Sequence, residues 1–142
     1  MKLIKFEIVT PERMLMQEMV QQVVAPTKAG EITVLPGHIP LVSSLEAGVI
    51  ETKNEKGENE VISVSGGFIE VLKEKIVVLA DTAERAEELD EKRIEEARLR
   101  AEESKKEIKT FDRERFASIN AKMAKELARS KAAKKWRKLK GN

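Results

Sequence analysis

The hydrophobic period of this chain changes at about residue 81 from two to nearly four, so neither a single sheet nor a single helical bundle accommodates all of it. Before the change, Ile4, Phe6 and Ile8 alternate with Lys5 and Glu7, and Glu60-Val61-Ile62-Ser63-Val64-Ser65 repeats the period. Further β-type runs fall at residues 20–25, 31–35, 48–53, 68–72 and 75–80, with Asn54-Glu55-Lys56-Gly57 and Lys73-Glu74 as hairpin tips. Many short strands with no helical segment between them predict an antiparallel sandwich or barrel rather than βαβ units.

After Asp81, Ala, Glu, Lys and Arg dominate, proline is absent from residue 41 onward, and glycine is absent from 68 to 140. That is the composition of long exposed helices. Asp81 or Asp90 caps a first helix running to about Lys109. Lys109-Thr110-Phe111-Asp112 reads as a turn, with Thr110 or Asp112 capping a second helix to about Lys138. A loop this short predicts an antiparallel two-helix hairpin, so the class is α+β, with units at 1–84 and 85–142. The helices carry stripes of small residues: Ile94, Ala97, Ala101, Ser104 and Ile108 on the first, and Ala117, Ala121, Ala124, Ala128 and Ala132 on the second. Alanine buries little area, so the hairpin is expected to be held weakly, both against itself and against the strands.

The 142 residues suit one compact domain plus an appendage. The net charge of +2 conceals an asymmetry: residues 1–84 carry 8 basic and 13 acidic side chains, and residues 85–142 carry 19 and 12. The two parts therefore face different partners. The first residues alternate in polarity instead of forming a secretory signal, and no apolar run approaches the roughly 18 residues of a membrane span. Without cysteine there is neither a disulfide nor a thiolate metal site, and the single histidine, His38, does not make a zinc cluster alone.

Catalytic motifs are missing. Gly66-Gly67 is followed by strand-like Phe68-Ile69-Glu70-Val71 rather than by the helix N-terminus a phosphate loop needs, and predicts a bulge or tight connection. His38, between Pro36 and Pro40, reads as a structural or interface residue, and no local base activates Ser43, Ser44, Ser63 or Ser65. Glu84, Glu87, Glu88, Asp90, Glu91, Glu95 and Glu96, interleaved with Arg and Lys, read as a solvated helix face. By contrast, residues 129–140 hold Arg129, Lys131, Lys134, Lys135, Arg137, Lys138 and Lys140 around Trp136 with no acidic residue. Such a helix seeks a negatively charged partner, an acidic protein surface, a phosphate backbone or an anionic membrane, and a nucleic-acid or anionic-surface binding module is the rival reading. The acidic N-terminal part offers no second basic platform, which argues against nucleic acid.

Four strings then stand in register: Thr10-Pro11-Glu12-Arg13; Gly30-Glu31-Ile32-Thr33-Val34-Leu35-Pro36-Gly37-His38-Ile39-Pro40-Leu41; Ser65-Gly66-Gly67-Phe68-Ile69-Glu70-Val71; and Val78-Leu79-Ala80-Asp81-Thr82-Ala83-Glu84. In order and spacing they resemble the epsilon subunits of bacterial F-type ATP synthases, over residues 1 to about 95. The resemblance implies an N-terminal β-sandwich followed by a helical hairpin, in a non-catalytic rotor subunit at the cytoplasmic face of the membrane. It implies partners in the gamma subunit, the c-ring and the alpha and beta subunits, with membrane attachment only through the complex. Gly30 and Glu31 are then a c-ring contact, and Pro36, Gly37 and His38 part of the rotor interface. The hairpin would inhibit ATP hydrolysis when extended, with Lys122, Lys125, Arg129, Lys131, Lys134, Lys135 and Arg137 facing an acidic segment of the beta subunit. No cofactor is implied, but some members bind ATP as a regulatory ligand through an Ile/Leu-Asp-x-x-Arg-Ala motif. Here Leu89-Asp90-Glu91-Lys92-Arg93-Ile94 keeps Leu, Asp and Arg and loses the alanine, and Arg100 follows. Lys122 and Glu126 stand where such members have arginines, and Glu126 would repel a triphosphate. The alternative is that Asp90 caps the helix while Arg93 pairs with neighbouring glutamates.

Overall fold

The computed structural model describes residues 2–106 and 113–140; Ile108, Lys109 and the expected turn with its caps Thr110 and Asp112 lie outside the described residues. Among the described residues the strands are β1 (Ile4–Val9), β2 (Met14–Thr27), β3 (Gly30–Val34), β4 (Leu41–Leu45), β5 (Gly48–Asn54), β6 (Asn59–Val64), β7 (Gly67–Val71), β8 (Lys75–Ala80) and β9 (Ala83–Arg85). A 3-10 turn at Ala86–Glu88 leads to helices α1 (Glu91–Lys106) and α2 (Arg113–Leu139).

Hydrogen bonding runs β1-β8-β7-β4-β2-β5-β6-β9, with β3 on β2 and a further pairing of β1 with β2. β2 is the corner of the sandwich. Its 14 residues would span roughly 46 Å, too long for one layer of short strands. Residues 14–20 pair with β1, and residues 20–27 with β3 and β5. A register shift between Val20 and Gln22 marks where it turns. One layer is then β1, β8, β7 and β4, the other β3, β5, β6 and β9 with the second half of β2. Phe6, Ile8, Val23, Ile50, Ile62, Ile69 and Ile76 fill the space between them, fully buried.

The expected antiparallel sandwich is present with one exception: β1 and β8 pair in parallel. These strands are far apart in sequence, so no tight turn dictates their relative direction. Both predicted hairpin tips form. Asn54 Oδ1 accepts the N–H groups of Lys56 and Glu58, each at 2.9 Å, and Leu72 N–H donates to the Lys75 carbonyl at 2.8 Å across Lys73-Glu74.

Of the two candidate caps of the first helix, the structure selects Asp90, whose Oδ1 accepts the N–H groups of Lys92 and Arg93 at 3.0 and 3.4 Å. Asp81 instead sits in the β8–β9 turn, its N–H bonded to the Gly66 carbonyl at 3.1 Å. The alanine stripe of α2 is only half used: Ala128 and Ala132 are buried, with Ala133 and Ile119, whereas Ala117 and Ala121 are exposed. The helix outruns the sandwich, so only its C-terminal part has a sheet to cover. On α1, Ile94 is fully buried and Ala97, Ala101 and Ser104 are half-buried.

Candidate functional site

The chain presents two candidate functional surfaces on opposite outer faces of the sandwich. On the β5–β6 face lies α2. Val49 and Val61 point outward from these strands and meet Ala132 of α2 and Ala86 of the 3-10 turn, with Leu89 and Trp136 packed at the margin. The seam is apolar but small, as the alanine content predicts. Around it run charge contacts. Arg129 donates Nε to Glu84 Oε2 at 3.1 Å and holds Glu126 through Nη1 at 3.0 Å; Lys135 Nζ meets Glu51 Oε2 at 2.9 Å; Arg137 Nη1 meets Glu91 Oε2 on α1 at 2.9 Å. These pairs are partly exposed, so each is worth only about 0.2–1 kcal/mol. Three residues of the predicted inhibitory face are thus occupied by the chain's own carboxylates, while Lys122, Lys131 and Lys134 are exposed.

Between the helices, Ala97, Arg100, Ala101 and Ser104 face Lys122, Lys125 and Glu126 across an open groove of about 380 Å³. Of the three nucleotide candidates only Arg100 borders it; Asp90 is engaged in capping, and Arg93 is exposed at the start of α1.

The predicted rotor contacts lie at the two ends of β3, whose five residues separate them by roughly 13 Å. At one end Gly30 and Glu31 are exposed beside the two-residue tip Lys28-Ala29, where Thr27 pairs with Gly30. At the other, His38 N–H donates to the Leu35 carbonyl at 3.0 Å, closing a turn with Pro36 and Gly37 at its centre. Gly37 has φ +88, which the third position of such a turn requires. His38 Nδ1 lies 2.6 Å from the Ile39 carbonyl oxygen, so the ring braces its own loop.

Sequence reasoning missed the second surface. On the outer face of β8, β7 and β4, Leu79 stands opposite Phe68, and Val42 opposite Glu70. Val42 is 70% exposed, Phe68 54% and Leu79 51%, with Ile39 of the adjacent loop at 75%. Exposed apolar side chains grouped on one sheet face in this way make it a candidate interaction surface. The signal was present in Ile76-Val77-Val78-Leu79-Ala80, which is apolar on both faces of the strand where a half-solvated strand would alternate.

The β-sandwich domain of the ATP synthase delta/epsilon chains matches residues 3–86, more than half of the chain. The ATP synthase epsilon chain of Dichelobacter nodosus is 50% identical over 95 residues, covering 67% of this chain and 66% of that one, so the match spans just under two thirds of that relative. The epsilon chain of Carboxydothermus hydrogenoformans is 51% identical over 100 residues, covering 70% of this chain and 74% of that one. A chain in the structure of the Euglena gracilis mitochondrial ATP synthase OSCP/F1/c-ring assembly superposes with a TM-score of 0.77 over 89% of this chain and 78% of that chain; at 23% identity it shows the shared fold. The comparisons lend the nucleic-acid alternative no support. The chain belongs to the epsilon-chain family of the ATP synthases, in its bacterial form.

Proposed function

We propose that the chain is a non-catalytic part of the rotor of an F-type ATP synthase, coupling the c-ring to the catalytic head and restraining ATP hydrolysis through its helical hairpin. The observation behind it is the docking of α2. Its basic residues Arg129 and Lys135 rest on Glu84 and Glu51 through contacts weak enough to exchange for those of another acidic surface. The exposed face of Val42, Phe68 and Leu79 serves as the seat of the gamma subunit, and the Gly30-Glu31 tip meets the c-ring. Attachment to the membrane runs through the complex. No helix among the described residues is long and apolar enough to cross a bilayer.

Hydrolysis by a reconstituted alpha, beta and gamma complex tests this. Full-length chain is expected to suppress turnover several-fold, and a chain ending at Leu89 to bind without suppressing it. The shortened chain keeps its fold because the main core draws on residues no later than Ala83. Equal suppression by both would overturn the inhibitory role of the hairpin.

ATP is proposed as a regulatory ligand of the interhelical groove. Arg100, Lys122 and Lys125 supply positive charge there, and Arg129 neutralises the Glu126 that would otherwise repel a triphosphate. ATP is expected to raise the melting temperature of the full chain, and Arg100→Ala to remove most of that gain. An undiminished gain in the variant places the nucleotide elsewhere.

A further inference from the structure

At the open end of the sandwich, four polar side chains point inward by the alternation of their strands. Glu18 lies between the buried Met16 and Val20 on β2, Thr52 follows the buried Ile50 on β5, Glu60 precedes the buried Ile62 on β6, and Arg85 follows the buried Ala83 on β9. Thr52 and Glu60 are direct cross-strand partners on one face. Glu18 Oε1, Thr52 Oγ1 and Glu60 Oε2 are buried without a hydrogen-bond partner, and Thr52 is only 1% exposed. Unmet polar atoms grouped in this way are rare in a native interior.

One guanidinium stands beside Glu60. Arg85 Nη1 is 3.9 Å from Glu60 and 4.0 Å from Glu87 of the 3-10 turn, while its Nη2 donates to the Leu15 carbonyl at 3.5 Å. The charge left over is costly to bury. Burial first, and then the facing Glu60 carboxyl, push the Glu18 carboxyl up to about 7 against the opposing pull of Arg85. On the outer side Glu18 borders Glu55, Lys56 and Glu58 of the β5–β6 turn. On the inner side, Glu60, Arg85 and Glu87 line a small cavity with Trp136 of α2 in its wall. The charges α2 brings nearby are Lys135, held by Glu51, and Lys140, whose Nζ lies 4.3 Å from the Trp136 ring centre.

We propose that Glu18 and Glu60 form a proton site that is complete only while Trp136 covers it, so that binding one shared proton favours the docked hairpin and losing it favours release. The proposal deepens the regulatory function above and depends on it for its consequence in the complex, but its test needs the isolated chain alone. The sign follows from solvation. When α2 leaves, water reaches Glu60 through the cavity that Trp136 walls, and the Glu18 carboxyl paired with it falls back toward the ordinary carboxylate range, so the docked state binds the proton more tightly. Docking is therefore strongest at low pH and weakens by about tenfold per pH unit as pH rises toward the docked value near 7.

Trp136 is the single tryptophan, so its emission in the full chain reports docking. Between about pH 4 and 9 the wild type is expected to move from blue-shifted toward red-shifted emission, the change falling below pH 7 and levelling off above it, while Glu18→Gln holds the blue-shifted value throughout and Glu60→Gln, which leaves the burial of Glu18 in place, moves the change to lower pH. Wild-type emission that does not change with pH, or a transition that survives in Glu18→Gln, would overturn the proton site and leave the hydrolysis result untouched. Should either variant unfold, carbon-13 titration of the wild-type carboxyls decides: a glutamate still protonated near neutrality supports the site, and ordinary titration of all of them overturns it.

Discussion

Gly67→Ala is expected to destabilise the sandwich by roughly 3–5 kcal/mol, combining a disfavoured backbone conformation with a forced backbone shift. Gly67 opens β7 with φ +129, and a Cβ built there would lie 2.1 Å from the Leu79 carbonyl oxygen and 2.9 Å from the Ala80 Cα. Both obstacles are backbone of β8, so no side-chain rotation relieves them. β7 and β8 also carry Ile69, Val71, Ile76 and Val78 into the core, so separating them to admit a methyl group loosens the centre of one layer. Gly37→Ala is the control. Its φ is also positive, but no atom lies within 4 Å of the added Cβ, so only the conformational term of about 1 kcal/mol remains. Urea unfolding followed by far-UV circular dichroism separates the two. Equal midpoints for them would mean that the close approach of β7 to β8 is wrong.

Where strands follow the simple rule of alternation, sequence alone locates them. Ile4, Phe6 and Ile8 of β1 all point into the core, as their spacing requires. β2 was seen only in its second half, because Met14-Leu15-Met16-Gln17-Glu18-Met19 carries exposed methionines at positions 14 and 19 and an inward carboxyl at 18. The residue that broke the pattern is the one with the displaced pKa. β4 was missed for a related reason: Ser43 and Ser44 interrupt it, and its outward Val42 is apolar where alternation calls for a polar residue.

The helices show a different limit. An alanine looks the same whether it faces a sheet or solvent, so the stripe predicts a face but not how far along α2 the face is covered. The basic residues were legible as a group in search of acid. That Arg129 and Lys135 find theirs at Glu84 and Glu51 depends on the sandwich having been built first, because those partners lie 45 and 84 positions away.

The second large effect is expected from Ala132→Glu. Ala132 is 0% exposed between Val49, Val61 and Ala86. A glutamate there either buries an unpaired carboxylate or forces α2 off the sheet, and the second is cheaper because the seam is small and the main core lies elsewhere. The docking equilibrium should move by about 3 kcal/mol or more, roughly 100-fold, toward release. Lys135→Ala, which removes only a half-exposed ion pair, should move it a few-fold at most. Limited proteolysis of α2 and the emission of Trp136 read the difference: Ala132→Glu is cleaved far faster and red-shifted, while Lys135→Ala resembles the wild type. If the two variants behave alike, charge rather than the alanine seam holds the hairpin. In the reconstituted complex, Ala132→Glu should suppress hydrolysis more strongly than the wild type, because it removes the docked state that competes with the inhibitory one while leaving Lys122, Lys125, Arg129, Lys131, Lys134 and Arg137 in place. Weaker suppression would mean that the docked hairpin is itself the inhibitory form.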